Sequence, residues 1–250
     1  MKEDFRLLDI NQKNYCSPRE YFDKLSGELT ENRINLSLAL IPAYNEKKNI
    51  GSVVRNTRKY VDNVIVIDDG SSDNTEKIAR KSGAEVVRLE KNKGVGFAMR
   101  VGLKKAISSK PDIIISLDGD GQHEPKYIPH FIKAIKNGAD YVCGARDLSN
   151  YPLDRKIGNW GLKTLTNLLC PTEIQDVECG YRAFTLNVAK KLKLEAEGYE
   201  REVDFAYEVW RNKLKVSQVK IKVPVFYSKF AIVRGFKNFF YLLRRRIKNS

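Results

Sequence analysis

The chain has 250 residues and 42% hydrophobic content, enough for one sizeable core with short appendages. Its 45 Lys and Arg against 31 Asp and Glu give a net charge of +14, and no acidic residue follows Glu208. That asymmetry points to a polyanionic partner: phosphorylated ligands, an anionic membrane surface or nucleic acid.

Cys16, Cys143, Cys170 and Cys179 form no CxxC pair, and neither His lies near them at zinc spacing, so ordinary buried cysteines of a reduced cytosolic protein are expected. The charged start (Lys2, Glu3, Asp4, Arg6) does not read as a signal peptide. No apolar run approaches the roughly 20 residues that cross a bilayer.

Residues 1–34 are polar and irregular, with one helix expected over 18–32. Strand and helix signals then alternate. A buried strand over 36–41 ends at Pro42, and a helix follows over 49–60. A second strand, 64–67, runs into Asp68-Asp69-Gly70-Ser71, where Ser72 or Asp73 caps a helix reaching Lys81. A third strand covers 84–89, a helix 94–108, and a fourth strand 112–117. A helix over 125–136 and a strand over 140–144 complete the alternation, and the last strand is read at KVPV, 222–225. The pattern predicts an α/β fold, a mostly parallel sheet flanked by helices. The expected division is an appendage (1–34), a catalytic domain (35–228) and a basic amphipathic C-terminal helix (229–250).

Three loops follow apolar strands and should open on one rim: Pro42-Ala43-Tyr44-Asn45-Glu46, Asp68-Asp69-Gly70-Ser71 and Asp118-Gly119-Asp120. Gathered carboxylates repel unless a cation or substrate donor groups offset them. Asp118, Asp120 and Gln122 therefore suit a hard divalent cation that shares its ligands with phosphates. As isolated turn formers they would mean little. Of the Asp68–Asp69 pair, Asp68 is expected to be structural and Asp69 to face the cleft. Gly94-Val95-Gly96 lacks the third glycine of a dinucleotide fingerprint, with Met99 in its place, so a closely packed helix start is expected and no nicotinamide cofactor.

Over 154–170, Ile157, Trp160, Leu165, Leu168 and Leu169 recur at helical spacing between Arg155, Lys156 and Lys163. Such a helix packs on the core or lies in a membrane interface. The C-terminus repeats the theme: Ile232, Phe236, Phe239, Phe240, Leu243 and Ile247 share a face, and Arg234, Lys237, Arg244, Arg245, Arg246 and Lys248 supply charge. So many large apolar residues favour an anionic lipid surface over nucleic acid, which is not an expected partner.

IPAYNE (41–46), VIDDGSSDNT (66–75), NKGVGFAMRVG (92–102), DIIISLDGDGQH (112–123), GARD (144–147) and DVECGYRAF (176–184) stand in the order seen in family 2 glycosyltransferases of the GT-A fold. Over residues 35–230 the chain most resembles the dolichyl-phosphate (polyprenyl-phosphate) mannosyl- and glucosyltransferase group. The resemblance implies a nucleotide-sugar donor (GDP-mannose, UDP-glucose or UDP-N-acetylglucosamine), a Mg²⁺ or Mn²⁺ ion, and inverting transfer of a hexose to a polyprenyl-phosphate acceptor. Carried over by motif, Pro42, Tyr44, Glu46, Ile67 and Asp69 hold the nucleotide. Asp118, Gly119, Asp120 and Gln122 meet the diphosphate, and Asp118, Asp120 and Gln122 the metal. Arg146 faces the acceptor phosphate, with Arg155 and Arg182 as further candidates. Asp118, Asp120 and Arg146 form the catalytic set. Ser228-Lys229 resembles a pair that approaches the donor phosphates. Gly119 stands where an alanine is common, KVPV lacks the acidic residue many relatives carry, and residues 1–34 have no counterpart. The transmembrane helices of some relatives have no match here, so attachment is expected to be peripheral, on the cytoplasmic face. A hydroxyl acceptor would instead need a carboxylate base. Glu202 and Asp204 are the candidates, though charge compensation at a helix start explains them as well.

Overall fold

The apolar run that opens the alternating region folds as β1 (Ser37–Ala43), and all seven of its residues are buried, so the sheet is covered on both faces there. The structure, a computed structural model, describes residues 36–224 and 231–248, apart from the side chains of residues 154, 231–234 and 236. The expected appendage 1–34 with its helix, Cys16, Ser228 and Lys229, and the side chains of Ile232, Arg234 and Phe236 lie outside that description.

Chain order continues through α1 (Ile50–Thr57), β2 (Asn63–Asp68), α2 (Thr75–Lys81), β3 (Glu85–Arg88), α3 (Val95–Ser108) and β4 (Ile113–Ser116). After a single 3₁₀ turn (Pro125–Tyr127) come α4 (Ile128–Lys136), β5 (Tyr141–Arg146), α5 (Leu153–Leu169), β6 (Arg182–Thr185) and α6 (Leu186–Lys191). The last elements are α7 (Arg201–Arg211), β7 (Val216–Ile221) and α8 (Ala231–Lys248). Most expected elements fall within a few residues of these bounds. The last strand does not: β7 ends at Ile221, where its pairing with Arg146 of β5 ends, and Pro224 has no N–H to extend a ladder.

The sheet order is β3-β2-β1-β4-β6-β5-β7. β2 and β4 flank β1 in parallel, and β5 and β7 are parallel. The strand β6, which the sequence pattern did not predict, runs antiparallel between β4 and β5. Its direction matters. Arg182 at its start is level with Ser116 at the end of β4 and pairs with Cys143 in β5. The carboxyl ends of β1, β2, β4 and β5 and the beginning of β6 thus share one rim. The chain leaves β1 toward β2 on one side and toward β4 on the other, the switch point where ligands of open α/β sheets lodge.

Leu38, Leu40, Ile65 and Ile67 pack with Ala98, Met99 and Leu103 of α3 in a core that continues through Phe184, Phe205 and Tyr207. α4 covers β4, β5 and β6, with Phe131 fully buried. The start of α3 is pressed against residues 196–197: a Cβ on Gly94, which has φ of 94°, would stand 2.4 Å from the Glu197 carbonyl oxygen. The glycines serve close packing, as expected. Cys143, Cys170 and Cys179 are free and buried.

Candidate active site

The first two rim loops are stitched together by backbone and short polar side chains. Asp69 N–H donates to the Ala43 carbonyl at 2.9 Å. Asn45 N–H donates to Ser71 Oγ at 2.9 Å, and Ser72 N–H to Asn45 Oδ1 at 2.9 Å. Glu46 N–H donates to Thr75 Oγ1 at 2.8 Å. Asn45 takes φ of 56°, a left-handed turn that Asn tolerates better than most residues. Asp73, expected as a cap, bonds both Thr75 N–H and Lys47 N–H, so it joins loop to loop while α2 begins two residues later.

Asp68 is structural, as expected. It is fully buried, accepts from Ser71 N–H at 2.9 Å and pairs with Arg88 at 3.2 Å. Asp69 was expected in the cleft, yet it too is buried. Its oxygens accept from Lys93 and Gly94 N–H, each at 2.8 Å, so it fastens the loop before α3. Ile67 lies wholly in the core, so only its backbone reaches the rim. Pro42 is buried, Glu46 is half-buried and accepts from Asn49 at 3.0 Å, and Tyr44 is exposed at the edge of the crevice.

The third loop brings two carboxylates to the switch point. A Cβ on Gly119 would stand 3.1 Å from Ala43 Cβ and 3.2 Å from the Pro42 carbonyl oxygen, so the loop leans on the end of β1. Asp120 accepts from Gln122 N–H at 2.9 Å and from its side-chain amide at 2.7 Å. Gln122 therefore orients Asp120 in this arrangement. Burial, with the nearby Asp118 and Glu46 charges, pushes Asp120 above its ordinary value. His123 is buried, lies tilted against the Tyr181 ring at 5.2 Å and accepts from Asp118 N–H at 3.3 Å. Burial holds it below its ordinary value against the pull of the nearby Asp118 and Asp120 charges.

Asp118 is balanced differently. Burial alone would raise it, but Arg201, 2.6 Å away, and the nearby His123 and Arg182 together outweigh burial and bring it from 3.8 to about 2. The folded carboxyl is depressed, so its contribution is present above about pH 4 and is lost as pH falls toward 2. A shift of this size corresponds to about 2 kcal/mol. We therefore expect the stability gap between wild type and Asp118→Asn to close between pH 4 and 2, read by urea unfolding across that range. A constant gap would contradict the pairing.

Among the described residues no three His, Cys, Asp or Glu side chains form a ready metal site. The donor set nevertheless fits a hard cation of the kind held by one or two carboxylates and substrate phosphates. Asp120 and Glu46 are mutually unfavourable neighbours, and Asp118 lies beside them with 28% of its side chain exposed.

The arginines divide. Arg146 at the end of β5 grips Asp176 through Nε at 2.5 Å and Nη2 at 2.8 Å. Arg182 is buried, bonds Glu202 and lies over the Phe205 ring at 4.4 Å. It lies behind Asp118 in the Glu202 ion pair, away from solvent. Arg155 is half-buried in the first turn of α5. Glu202 binds Arg201 and Arg182, and Asp204 binds Arg245 and two backbone N–H groups. Both carboxylates are engaged in ion pairs within the fold.

The family described as Glycosyl transferase family 2 matches residues 39–193. The chain belongs to glycosyl transferase family 2. It is 37% identical over 236 residues to a UDP-N-acetylglucosamine–dolichyl-phosphate N-acetylglucosaminyltransferase of Methanococcus voltae, covering 82% of this chain and 93% of that one. It is 35% identical over 243 residues to an uncharacterized protein of Methanocaldococcus jannaschii, covering 91% and 99%. Glucosyl-3-phosphoglycerate synthase from Mycobacterium tuberculosis, solved with Mn²⁺, uridine diphosphate and phosphoglyceric acid, has the same fold, with a TM-score of 0.71 at 20% identity over 95% of this chain and 84% of that one. The mostly parallel seven-stranded sheet is thus the GT-A fold, and the protein is a glycosyltransferase.

On this glycosyltransferase the apolar stripe of α5 faces outward. Leu153, Ile157, Trp160, Leu165 and Leu168 are exposed, while Leu162 and Thr166 are buried and Leu169 is half-buried against the core. α8 packs on α5 and α7 and exposes Phe240 and Ile247. Its charge is less uniform than the pattern implied. Arg245 is buried between Asp204, Glu208 and Glu195, and Arg246 stacks on Trp210 at 4.0 Å. No described helix is long and apolar enough to cross a membrane.

Arg201 and His123 were not anticipated as site residues. A signal for Arg201 does exist: α7 buries Arg201, Glu202, Asp204 and Glu208 along with its apolar residues, so the sequence puts charges into an otherwise core-like helix.

Proposed function

We propose that this glycosyltransferase moves a hexose from a nucleotide-diphosphate sugar to a polyprenyl phosphate at a membrane surface, with inversion and with a divalent cation. The observation that carries the reading is the rim where Asp118, Asp120 and Glu46 meet beside Arg146, next to helices that turn large apolar side chains outward. The name of the M. voltae relative makes UDP-N-acetylglucosamine the donor to test first, ahead of GDP-mannose and UDP-glucose.

In this reading the stitched loops 42–46 and 68–75 form the nucleotide cradle, with Tyr44 against the base or ribose. Asp120, aimed by Gln122, and Asp118, held by Arg201, hold Mg²⁺ or Mn²⁺. A bound cation supplies charge neutralisation at the departing diphosphate. The sugar carbon passes through an oxocarbenium-like state, where an incoming oxygen on the opposite face gives inversion. A phosphate acceptor is already anionic and needs no base. It needs cations that align it, a task suited to the planar donors of Arg146 and Arg155. The commitment of Glu202 and Asp204 to ion pairs supports a phosphate acceptor over a hydroxyl, which would require a free base.

A polyprenyl phosphate presents its head group at the bilayer surface, so the enzyme must meet it there. The outward faces of α5 and α8 suit insertion among head groups, and exposed Lys237, Arg244 and Lys248 add about 1 kcal/mol each near anionic lipid. The test is a donor screen with radiolabelled sugar, Mn²⁺ or Mg²⁺, and polyprenyl phosphate in vesicles. Label is expected in the organic phase only when polyprenyl phosphate is present. Transfer to a water-soluble glycan in its absence would assign a hydroxyl acceptor instead, and tight salt-sensitive nucleic-acid binding without transfer would sink the enzymatic reading of the site.

A further inference from the structure

We infer that Arg201 is a positioning residue: its guanidinium, clamped from behind by Glu202 and Arg182, sets the direction in which Asp118 offers its remaining oxygen to the cation. The inference rests on the proposed reading of the rim as a cation and diphosphate site. Arg201 opens α7, 83 residues from Asp118 in sequence, and reaches Asp118 Oδ1 through Nη2 at 2.6 Å. Its Nε is fixed on Glu202 Oε1 at 2.6 Å, and the other Glu202 oxygen takes Arg182. Arg182, Arg201 and Glu202 are buried, and Asp118 ends the row at the crevice. Two guanidiniums face two carboxylates in line. Such a row has one low-energy arrangement, because moving any member strands a charge away from water.

Gly180 lies beside the pair, and its lack of a side chain leaves room for both the Asp118 carboxylate and the Arg201 guanidinium. A Cβ on Gly180 would stand 2.6 Å from Asp118 Oδ2 and 3.1 Å from Arg201 Nη2. Asp118 thus has a guanidinium on one oxygen, and the glycine beside the other leaves that oxygen uncrowded. Arg201 Nη1 and Arg182 Nε and Nη1 are buried without a hydrogen-bond partner among the described residues. Holding one carboxylate in place is the task that outer partners perform for metal ligands, where their loss weakens metal binding by roughly 10- to 100-fold.

The experiment titrates Mn²⁺ by electron paramagnetic resonance in the presence of UDP, without acceptor and without turnover. Arg201→Gln is expected to weaken Mn²⁺ binding at least about 10-fold, while Arg201→Lys, which keeps the charge but loses the fork, recovers part of it. Wild-type Mn²⁺ affinity in Arg201→Gln, with only a lower melting temperature, would reduce Arg201 to a structural residue and overturn the inference. Where Arg201→Gln does not fold, Gly180→Ala crowds Asp118 Oδ2 and Arg201 Nη2 and so disturbs the pair with every charge retained. It is expected to weaken Mn²⁺ comparably, and unchanged affinity overturns the inference. If wild type itself shows no manganese-dependent UDP binding, the reading of the whole rim fails, a result distinct from failure of the Arg201 assignment alone.

Discussion

Asp120→Ala is expected to lower sugar transfer by roughly 1000-fold, equivalent to about 4 kcal/mol of transition-state stabilisation lost with the cation. The expectation follows from where the residue sits. Asp120 is at the switch point, held on both oxygens by Gln122, and raised above its ordinary value by burial and by Asp118 and Glu46. A group whose folded value is raised destabilises the folded protein once it ionises. Asp120→Asn should therefore keep or raise the melting temperature at neutral pH while it removes transfer. Activity and stability moving in opposite directions is the mark of a carboxylate kept for its ligand. Initial rates at saturating donor and Mn²⁺, together with thermal unfolding, read both quantities. Near-wild-type transfer by Asp120→Ala would contradict the assignment.

The second large effect is at the lipid surface. Trp160 and Leu168 are 62% and 76% exposed on the outer face of α5. Full burial of such a side chain is worth about 1.5–3 kcal/mol. Replacing both with Ser should cost about 3 kcal/mol of membrane binding, roughly 100-fold in partition constant. Little stability should be lost, because neither side chain fills the core. Sedimentation with anionic vesicles measures the partition. The same variant should keep its Mn²⁺ and UDP affinity, because α5 contributes no residue to the carboxylate rim. Equal partition of variant and wild type would detach α5 from the membrane reading.

Much of the architecture was legible because buried parallel strands are short continuous apolar runs, and the loops that follow them carry the polar residues. That reasoning located the ends of β1, β2 and β4 and so brought Glu46, Asp68 and Asp118 to one rim. It failed where information is not local. β6 has four residues and no alternation of its own, and Arg182 within it is buried against Glu202. Asp69 was expected in the cleft because it follows a strand, but the loop before α3 offered two backbone donors and captured it. The helical spacing of Ile157, Trp160 and Leu168 was visible, but a pattern of spacing does not say whether a face meets core or solvent. Arg201 escaped notice because its partner is brought to it only by the fold.

The most direct test of the central claim is an anomalous difference map from crystals soaked with Mn²⁺ and a uridine or guanosine diphosphate. The account predicts one strong peak at about 2.1 Å from an Asp120 oxygen, a metal–oxygen bonding distance, shared with the diphosphate. A nucleotide bound in the crevice with manganese absent, or manganese lodged away from Asp118 and Asp120, would contradict it.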